Sequence, residues 1–127
     1  MENKKIALVT GASRGIGKSI SSKLLEQGYL VIGTATSSIG VENLLKRNIK
    51  GFELDLNNKS SIDAFWESVI SEFRSVNILV NNAGITRDNI ILRMSEDEWN
   101  EVVNVHLNGA FYMCKIASKM MMKERWG

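Results

Sequence analysis

The chain has 127 residues, of which 44% are hydrophobic and 24% are charged, a composition typical of one soluble globular domain. Its formal net charge of +2 is too small to attract nucleic acid or an anionic membrane strongly, and no apolar run reaches the length of a membrane span. We therefore expect neither as a partner. The single cysteine, Cys114, excludes an internal disulfide and indicates a reducing compartment, the cytoplasm. Cys114 itself is predicted to be a small core residue on a helix.

Four short apolar runs rich in β-branched residues predict buried strands. In chain order they are residues 6–10, 29–33, 51–54 and 78–81. Stretches with helical spacing separate them. The first places Ile16, Ile20 and Leu24 on one face, and the second, which is weaker, contains Leu44 and Leu45. The third matches the i, i+3, i+4, i+7 pattern with Ile62, Phe65, Trp66, Val69 and Phe73.

A fourth helical stretch follows the last predicted strand. It begins at a capping box, in which Ser95 is the N-cap and Glu98 reaches back to it, and it continues towards Met122. Strand and helix thus alternate four times, which indicates parallel strands joined by right-handed crossovers. The predicted fold class is α/β. We expect a Rossmann-like, doubly wound parallel sheet in the order 3-2-1-4, which ends after its fourth βα unit with the fourth strand as an apolar edge.

A glycine-rich turn links the first predicted strand to the first helix. Gly11, Gly15 and Gly17 let the chain turn sharply and let a pyrophosphate approach the amides at the helix N-terminus. A P-loop phosphohydrolase is suggested by Gly17-Lys18-Ser19, but five residues separate Gly11 from Gly17 where a P-loop has four. The common Gly-x-Gly-x-x-Gly fingerprint also fails, because residue 20 is isoleucine. The remaining pattern is Gly-x-x-x-Gly-x-Gly.

The end of the second predicted strand indicates which dinucleotide this turn would bind. Residues 33–38 contain threonines and serines but no acid, whereas NAD enzymes of this fold usually place an acid about 20 residues after the turn. A carboxylate would repel a 2′-phosphate, while Arg14 in the turn would attract it. NADP(H) is therefore favoured over NAD(H). The alternative for Arg14 is a solvated surface arginine.

Three motifs at these intervals resemble those of the short-chain dehydrogenase/reductase family. They are the Thr-Gly-x-x-x-Gly-x-Gly turn that starts at Thr10, Asp55-Leu56 after the third strand, and Asn-Asn-Ala-Gly at residues 81–84. Residues 5–17, 31–37, 84–89 and 121–125 further resemble the 3-oxoacyl-[acyl-carrier-protein] reductases of fatty acid biosynthesis, and the similarity covers the whole chain. It implies an oxidoreductase of lipid metabolism, which uses NADPH to reduce a 3-oxoacyl group carried on acyl carrier protein.

The resemblance also implies a set of site residues and partners. The pyrophosphate would be bound by Gly11, Ala12, Ser13, Arg14, Gly15, Ile16 and Gly17. The 2′-phosphate would be held by Ser13, Arg14 and Thr36. The adenine would be flanked by Asp55 and Leu56, and the ribose would lie along Asn82, Ala83 and Gly84. Arg125 resembles a docking residue for acyl carrier protein, or it is an exposed cation at a helix end. The full-length family resembles homo-oligomers and needs no metal.

Two departures from the family pattern bear on catalysis. His106 stands where the family usually carries the asparagine of its proton relay, while Asn104 and Asn108 lie two residues away on other helix faces. His106 is therefore the candidate catalytic residue; the alternative is a buried, hydrogen-bonded histidine without that role. The family's serine and Tyr-x-x-x-Lys are missing, because the residues four positions after Tyr29 and Tyr112 are glycine and isoleucine.

The predicted domain, residues 1–127, is thus the NADP(H)-binding Rossmann portion of such an enzyme, without the C-terminal catalytic portion. Since that tyrosine and lysine are missing, no general acid for the ketone is evident. The leading hypothesis is a partial sequence of an NADP-dependent reductase. The alternative is a non-catalytic or degenerate NADP(H)-binding module that acts with a partner subunit.

Overall fold

A four-stranded parallel sheet forms the centre of the computed structural model, which describes residues 4–127. Its strands are β1 (Ile6–Val9), β2 (Leu30–Ala35), β3 (Lys50–Glu53) and β4 (Ile78–Val80). They lie in the order β3-β2-β1-β4, and Leu8 of β1 pairs with Ile32 on one side and Leu79 on the other. The predicted fold class and strand order are confirmed. Residues 1–3, which the predicted domain includes, lie outside the described part.

Three helices connect the strands, and only two of them have a side-chain cap. They are α1 (Gly15–Glu26), α2 (Ser38–Leu45) and α3 (Lys59–Glu72). Ser37 caps α2 and Asn58 caps α3, each by accepting hydrogen bonds from amides of the first turn. Arg14, the N-cap residue of α1, makes no such bond. The amides of the first turn of α1 are therefore available to another acceptor.

The fourth predicted helix is interrupted by a π-helical turn. Its three segments are α4 (Glu96–Val103), the π turn (Asn104–Asn108) and α5 (Gly109–Glu124). As predicted, the Ser95 hydroxyl accepts a hydrogen bond from the Glu98 amide at 3.1 Å. The prediction that Glu98 reaches back to Ser95 is wrong, because the Glu98 carboxylate accepts a hydrogen bond from the Asn89 side chain instead. No helix within residues 4–127 is long and apolar enough to cross a membrane.

Two hydrophobic layers cover the two faces of the sheet. Alternate residues of a strand point to opposite faces, so Leu8 and Val9 belong to different layers. The layer under α3 and α5 buries Ile6, Leu8, Ile32, Leu54, Ile62, Phe65, Trp66, Val69, Val76, Met113 and Ala117. The layer under α1 and α2 buries Val9, Ala12, Val31, Ala35, Leu44 and Ile49.

The predicted burial is wrong in several places. β3 is exposed at both ends and half-buried between them, and β4 is half-buried throughout, because these are the two edge strands of the sheet. Ile20 and Leu24 pack against the second layer, but Ile16 on the same helix face is 74% exposed. The reason is its place in the first turn of α1, where it lines an open cleft. Cys114 lies on α5 as predicted, but it is exposed rather than buried. Its sulfur contacts the Asn81 side chain at 3.3 Å beside β4, and β4 is the edge strand of the sheet.

Candidate functional site

A cleft of about 300 Å³ lies at the carboxyl ends of the strands. Most of the residues predicted to bind a cofactor line it, namely Gly11, Ser13, Arg14, Gly15, Ile16, Thr36, Asn82, Ala83 and Gly84. Thr34, Ala35 and Leu54 complete the lining. The strand order changes direction between β1 and β4. This is the topological switch point, the place where open parallel sheets bind ligands.

The Thr10 side chain ties the end of β1 to the segment after β4. Its hydroxyl oxygen accepts hydrogen bonds from the amides of Asn82 and Ala83, both at 3.0 Å. In return, the Asn82 side-chain amide donates to the carbonyl oxygens of Thr10 at 3.0 Å and Gly11 at 3.1 Å. Thr10 is fully buried, so water does not readily replace these bonds. The turn after β1 and the segment after β4, which border the cleft, are therefore held together by these buried hydrogen bonds.

Two glycines allow α1 to begin in close contact with the hydrogen bonds between Thr10 and Asn82. Gly11 has a φ of 65°, in the left-handed region that favours glycine. A Cβ atom at Gly17 would overlap the Gly11 carbonyl oxygen and crowd the Asn82 side chain. A larger residue at position 17 would consequently push the helix away from the turn.

The first turn of α1 presents unpaired amides at the cleft. The first backbone hydrogen bond of the helix runs from the Lys18 amide to the Arg14 carbonyl oxygen at 3.2 Å. The amides of Gly15, Ile16 and Gly17 make no hydrogen bond within residues 4–127. Unpaired amides at a helix N-terminus, together with the helix dipole, form a binding site for an anion such as phosphate.

Among the residues that the structure describes, the lining of this cleft contains a single charged side chain, and it is positive. Arg14 lines the cleft, and no carboxylate from residues 4–127 does. Arg14 is exposed and forms no ion pair in the part of the chain that the structure describes. An exposed position is compatible with both hypotheses for Arg14, phosphate binding and a solvated surface residue. Lys18, on which the P-loop hypothesis depends, is exposed and lies outside the lining.

The other residues predicted to bind the cofactor lie outside the lining. Ala12 and Gly17 are buried behind the turn. The Asp55 carboxylate closes its own turn by accepting from an amide two residues on, at 2.9 Å, and Leu56 packs against the first hydrophobic layer. Leu54 lines the cleft in their place. The sequence indicates where a strand ends, but not which of the following side chains faces the cleft.

A second cavity of about 380 Å³ adjoins the cleft and shares Arg14 and Gly84 with it. His106 of the π turn lines this cavity and is exposed, so the prediction of burial in the alternative for His106 is wrong, although the histidine is hydrogen-bonded as that alternative states. Its Nε2 atom lies 2.8 Å from the Ile85 carbonyl oxygen and 3.1 Å from the Ile85 amide nitrogen. One tautomer donates to the carbonyl and the other accepts from the amide. In either form His106 holds the segment after β4.

An ion pair that the sequence analysis did not predict gives this segment a second anchor. Two nitrogen atoms of Arg87 donate to the two carboxylate oxygens of Glu101, at 2.7 and 2.9 Å. This paired geometry is the strong form of an arginine–carboxylate contact. No motif spans the interval between the two residues. Asn104 and Asn108 lie on other helix faces as predicted, and their side chains bond to each other at 2.8 Å.

The chain is similar to known short-chain dehydrogenases in both sequence and structure. The family model for short chain dehydrogenase matches residues 5–127. The crystal structure of a short-chain dehydrogenase from Streptomyces avermitilis is similar, with a TM-score of 0.91 and 29% sequence identity. That similarity covers 99% of this chain and 47% of the solved chain.

Curated relatives carry the name 3-oxoacyl-[acyl-carrier-protein] reductase. The protein from Salmonella typhimurium is 49% identical over 126 residues, and the one from Escherichia coli is 48% identical over the same length. The protein from Buchnera aphidicola is 45% identical over 127 residues. These matches cover 97–98% of this chain and 52% of each relative. The chain therefore spans about half the length of the curated relatives it matches.

Thr10→Val keeps the shape of the side chain and removes its hydroxyl group. The amides of Asn82 and Ala83 then lose their acceptor, so we expect the free energy of unfolding to fall by about 2 kcal/mol. Urea denaturation measures this change, and hydrogen exchange at the two amides should accelerate. Thr10→Ser keeps the hydroxyl and is the matched control. Equal stability of Thr10→Val and the parent chain would contradict the role assigned to this oxygen.

Proposed function

The chain belongs to the short chain dehydrogenase family, and from that membership we propose that residues 1–127 form the NADP(H)-binding portion of a 3-oxoacyl-[acyl-carrier-protein] reductase. One observation carries the proposal. The uncapped first turn of α1 borders a cleft whose lining contains an arginine and no carboxylate. Helix N-terminal amides bind pyrophosphate, and a cleft without carboxylates accepts an additional 2′-phosphate. The similarity to reductases of that name supports the substrate class.

The residues that would hold the cofactor divide into three groups. The amides of the glycine turn and of the first turn of α1, residues 13–17, would donate to the pyrophosphate. The 2′-phosphate would be bound by Ser13, Arg14 and Thr36, and the ribose nearest the second cavity by Asn82, Ala83 and Gly84. Bound NADPH supplies the hydride for the reduction of a carbonyl group. The protein's part is then to orient the cofactor and to keep acidic groups away from its phosphates.

His106 would act near the carbonyl group of the substrate. It fixes Ile85 beside the second cavity, and it would take the place of the family's relay asparagine there. A proton must also reach the reduced oxygen, and a positioned acid normally delivers it. Residues 1–127 contain no Tyr-x-x-x-Lys. The proposed reduction therefore needs a general acid from outside these residues.

Arg125 would contact the acyl carrier protein. It is exposed at the end of α5 and has a left-handed φ of 52°. An exposed cation attracts an acidic partner and steers its approach. The alternative for Arg125, a cation that only complements the negative end of the helix dipole, predicts no effect of the residue on the substrate.

Arg14→Ala tests the preference for NADPH over NADH. If the guanidinium binds the 2′-phosphate, we expect NADPH binding to weaken about tenfold, since one charge-assisted hydrogen bond is lost. NADH binding should hardly change. Calorimetric titration of both dinucleotides measures the two dissociation constants. Arg93→Ala, which removes an exposed arginine outside the cleft, is the matched control. Failure of the parent protein to bind either dinucleotide would reject the proposal.

The reductase activity is tested on the natural gene product. We expect it to oxidise NADPH when a short 3-oxoacyl group on acyl carrier protein is supplied. His106→Ala should lower kcat by about 100-fold with little change in the KM for NADPH. Arg125→Ala should raise the KM for the carrier-linked substrate but not for the same acyl group on coenzyme A. Tight NADPH binding without turnover would instead favour the non-catalytic module.

A further inference from the structure

Arg47, which follows α2, holds the glycine turn from behind. Its Nη1 atom donates to the Ala12 carbonyl oxygen at 3.2 Å, and its Nη2 atom donates to the Lys18 carbonyl oxygen at 3.0 Å. Nη2 also contacts the hydroxyl groups of Ser21 at 3.0 Å and Ser22 at 2.8 Å. One guanidinium thus joins the turn before α1 to the beginning of that helix.

The backbone that carries Arg47 is itself fixed. The Leu44 carbonyl oxygen accepts hydrogen bonds from the amides of Arg47 and Ile49, both at 3.0 Å. Asn48 between them has a φ of 59°, the left-handed conformation that commonly ends a helix. Leu44 and Ile49 are fully buried in the second hydrophobic layer. Packing on both sides of Arg47 therefore restricts the positions that its guanidinium can reach.

We infer that Arg47 is a positioning residue for the pyrophosphate site, and this inference rests on the proposed cofactor-binding function. The peptide bond between Ala12 and Ser13 is planar and trans, so its N–H points away from the carbonyl oxygen that Arg47 holds. Ser13 lines the cleft, whereas Arg47 does not. Arg47 thus sets the orientation of an amide at the cleft through the backbone, without touching the ligand.

The charge of Arg47 adds to this effect. Its contacts are carbonyl and hydroxyl oxygens, and it forms no ion pair within residues 4–127. These neutral acceptors stabilise the guanidinium without cancelling its charge. A positive charge behind the uncapped end of α1 has the same sign as the helix dipole there, so both favour an anion in the cleft.

Calorimetric titration of NADPH and NADH into variants of the natural gene product tests this inference. Arg47→Ala should weaken the binding of both dinucleotides about tenfold and by the same factor, because they share the pyrophosphate. Arg47→Lys keeps the charge but not the forked hydrogen bonds, so its loss should be intermediate. Thermal unfolding of each variant shows that it is folded at the temperature of the titration.

Two further variants separate a local effect from a general one. Lys46→Ala removes the neighbouring exposed cation and should change neither affinity. Val69→Ala opens a cavity in the hydrophobic layer on the other face of the sheet, so it should lower stability and leave both affinities unchanged. If Val69→Ala weakened binding as much as Arg47→Ala does, general destabilisation would explain the loss and the inference would be overturned.

The remaining outcomes distinguish this inference from the proposed function. Equal affinities in the parent protein and Arg47→Ala would overturn the inference and leave the proposed function intact. A loss for NADPH alone would also overturn it, because Arg47 would then act on the 2′-phosphate. A parent protein that binds neither dinucleotide would reject the proposed function itself. Where Arg47→Ala does not fold, Arg47→Lys provides the same comparison.

Discussion

One buried oxygen atom, the hydroxyl of Thr10, sets the geometry of the cleft. It accepts the amides of Asn82 and Ala83, and Asn82 returns two bonds to the turn that follows Thr10. The segments joined in this way are adjacent in the sheet but distant in the chain. An amide removed from water and left without an acceptor costs about 1–3 kcal/mol. The turn after β1 and the segment after β4 therefore cannot separate without a substantial loss of stability.

The fixed turn determines where α1 begins. The start of α1 in turn determines which backbone amides an anion could bind. Ser37, Asn58 and Ser95 each cap a helix of this chain, whereas α1 has no side-chain cap. A capping oxygen at that position would compete with an anion for the same amides. The uncapped helix α1 starts at the switch point of the sheet, with Arg14 in front of it and Arg47 behind. A ligand that bound these amides would stabilise the folded protein.

The fold was predictable because periodicity and glycine spacing are local signals, and the strand order followed from the doubly wound sheet that alternating strands and helices favour. Gly11 and Gly15 of the turn, together with Asn82, also identify the cleft from the sequence. Other features were not predictable, among them the Arg87–Glu101 ion pair. Arg47 acts across a distance in the chain that no motif spans, and no residue pattern around His106 indicates a π turn. Cys114 was wrongly predicted to be buried, because its residue type indicates burial while its place beside an edge strand exposes it.

Titration of the ¹⁵N-labelled protein with NADPH, followed by amide chemical shifts, tests the cofactor-binding proposal most directly. We expect the largest changes at the amides of residues 13–17, with smaller changes at residues 34–36 and 82–84, and we expect inorganic pyrophosphate to reproduce only the first set. Saturable changes confined to these segments would support the proposed binding at the uncapped end of α1. An absence of changes at residues 13–17, or binding that shifts amides on the other face of the sheet instead, would contradict it.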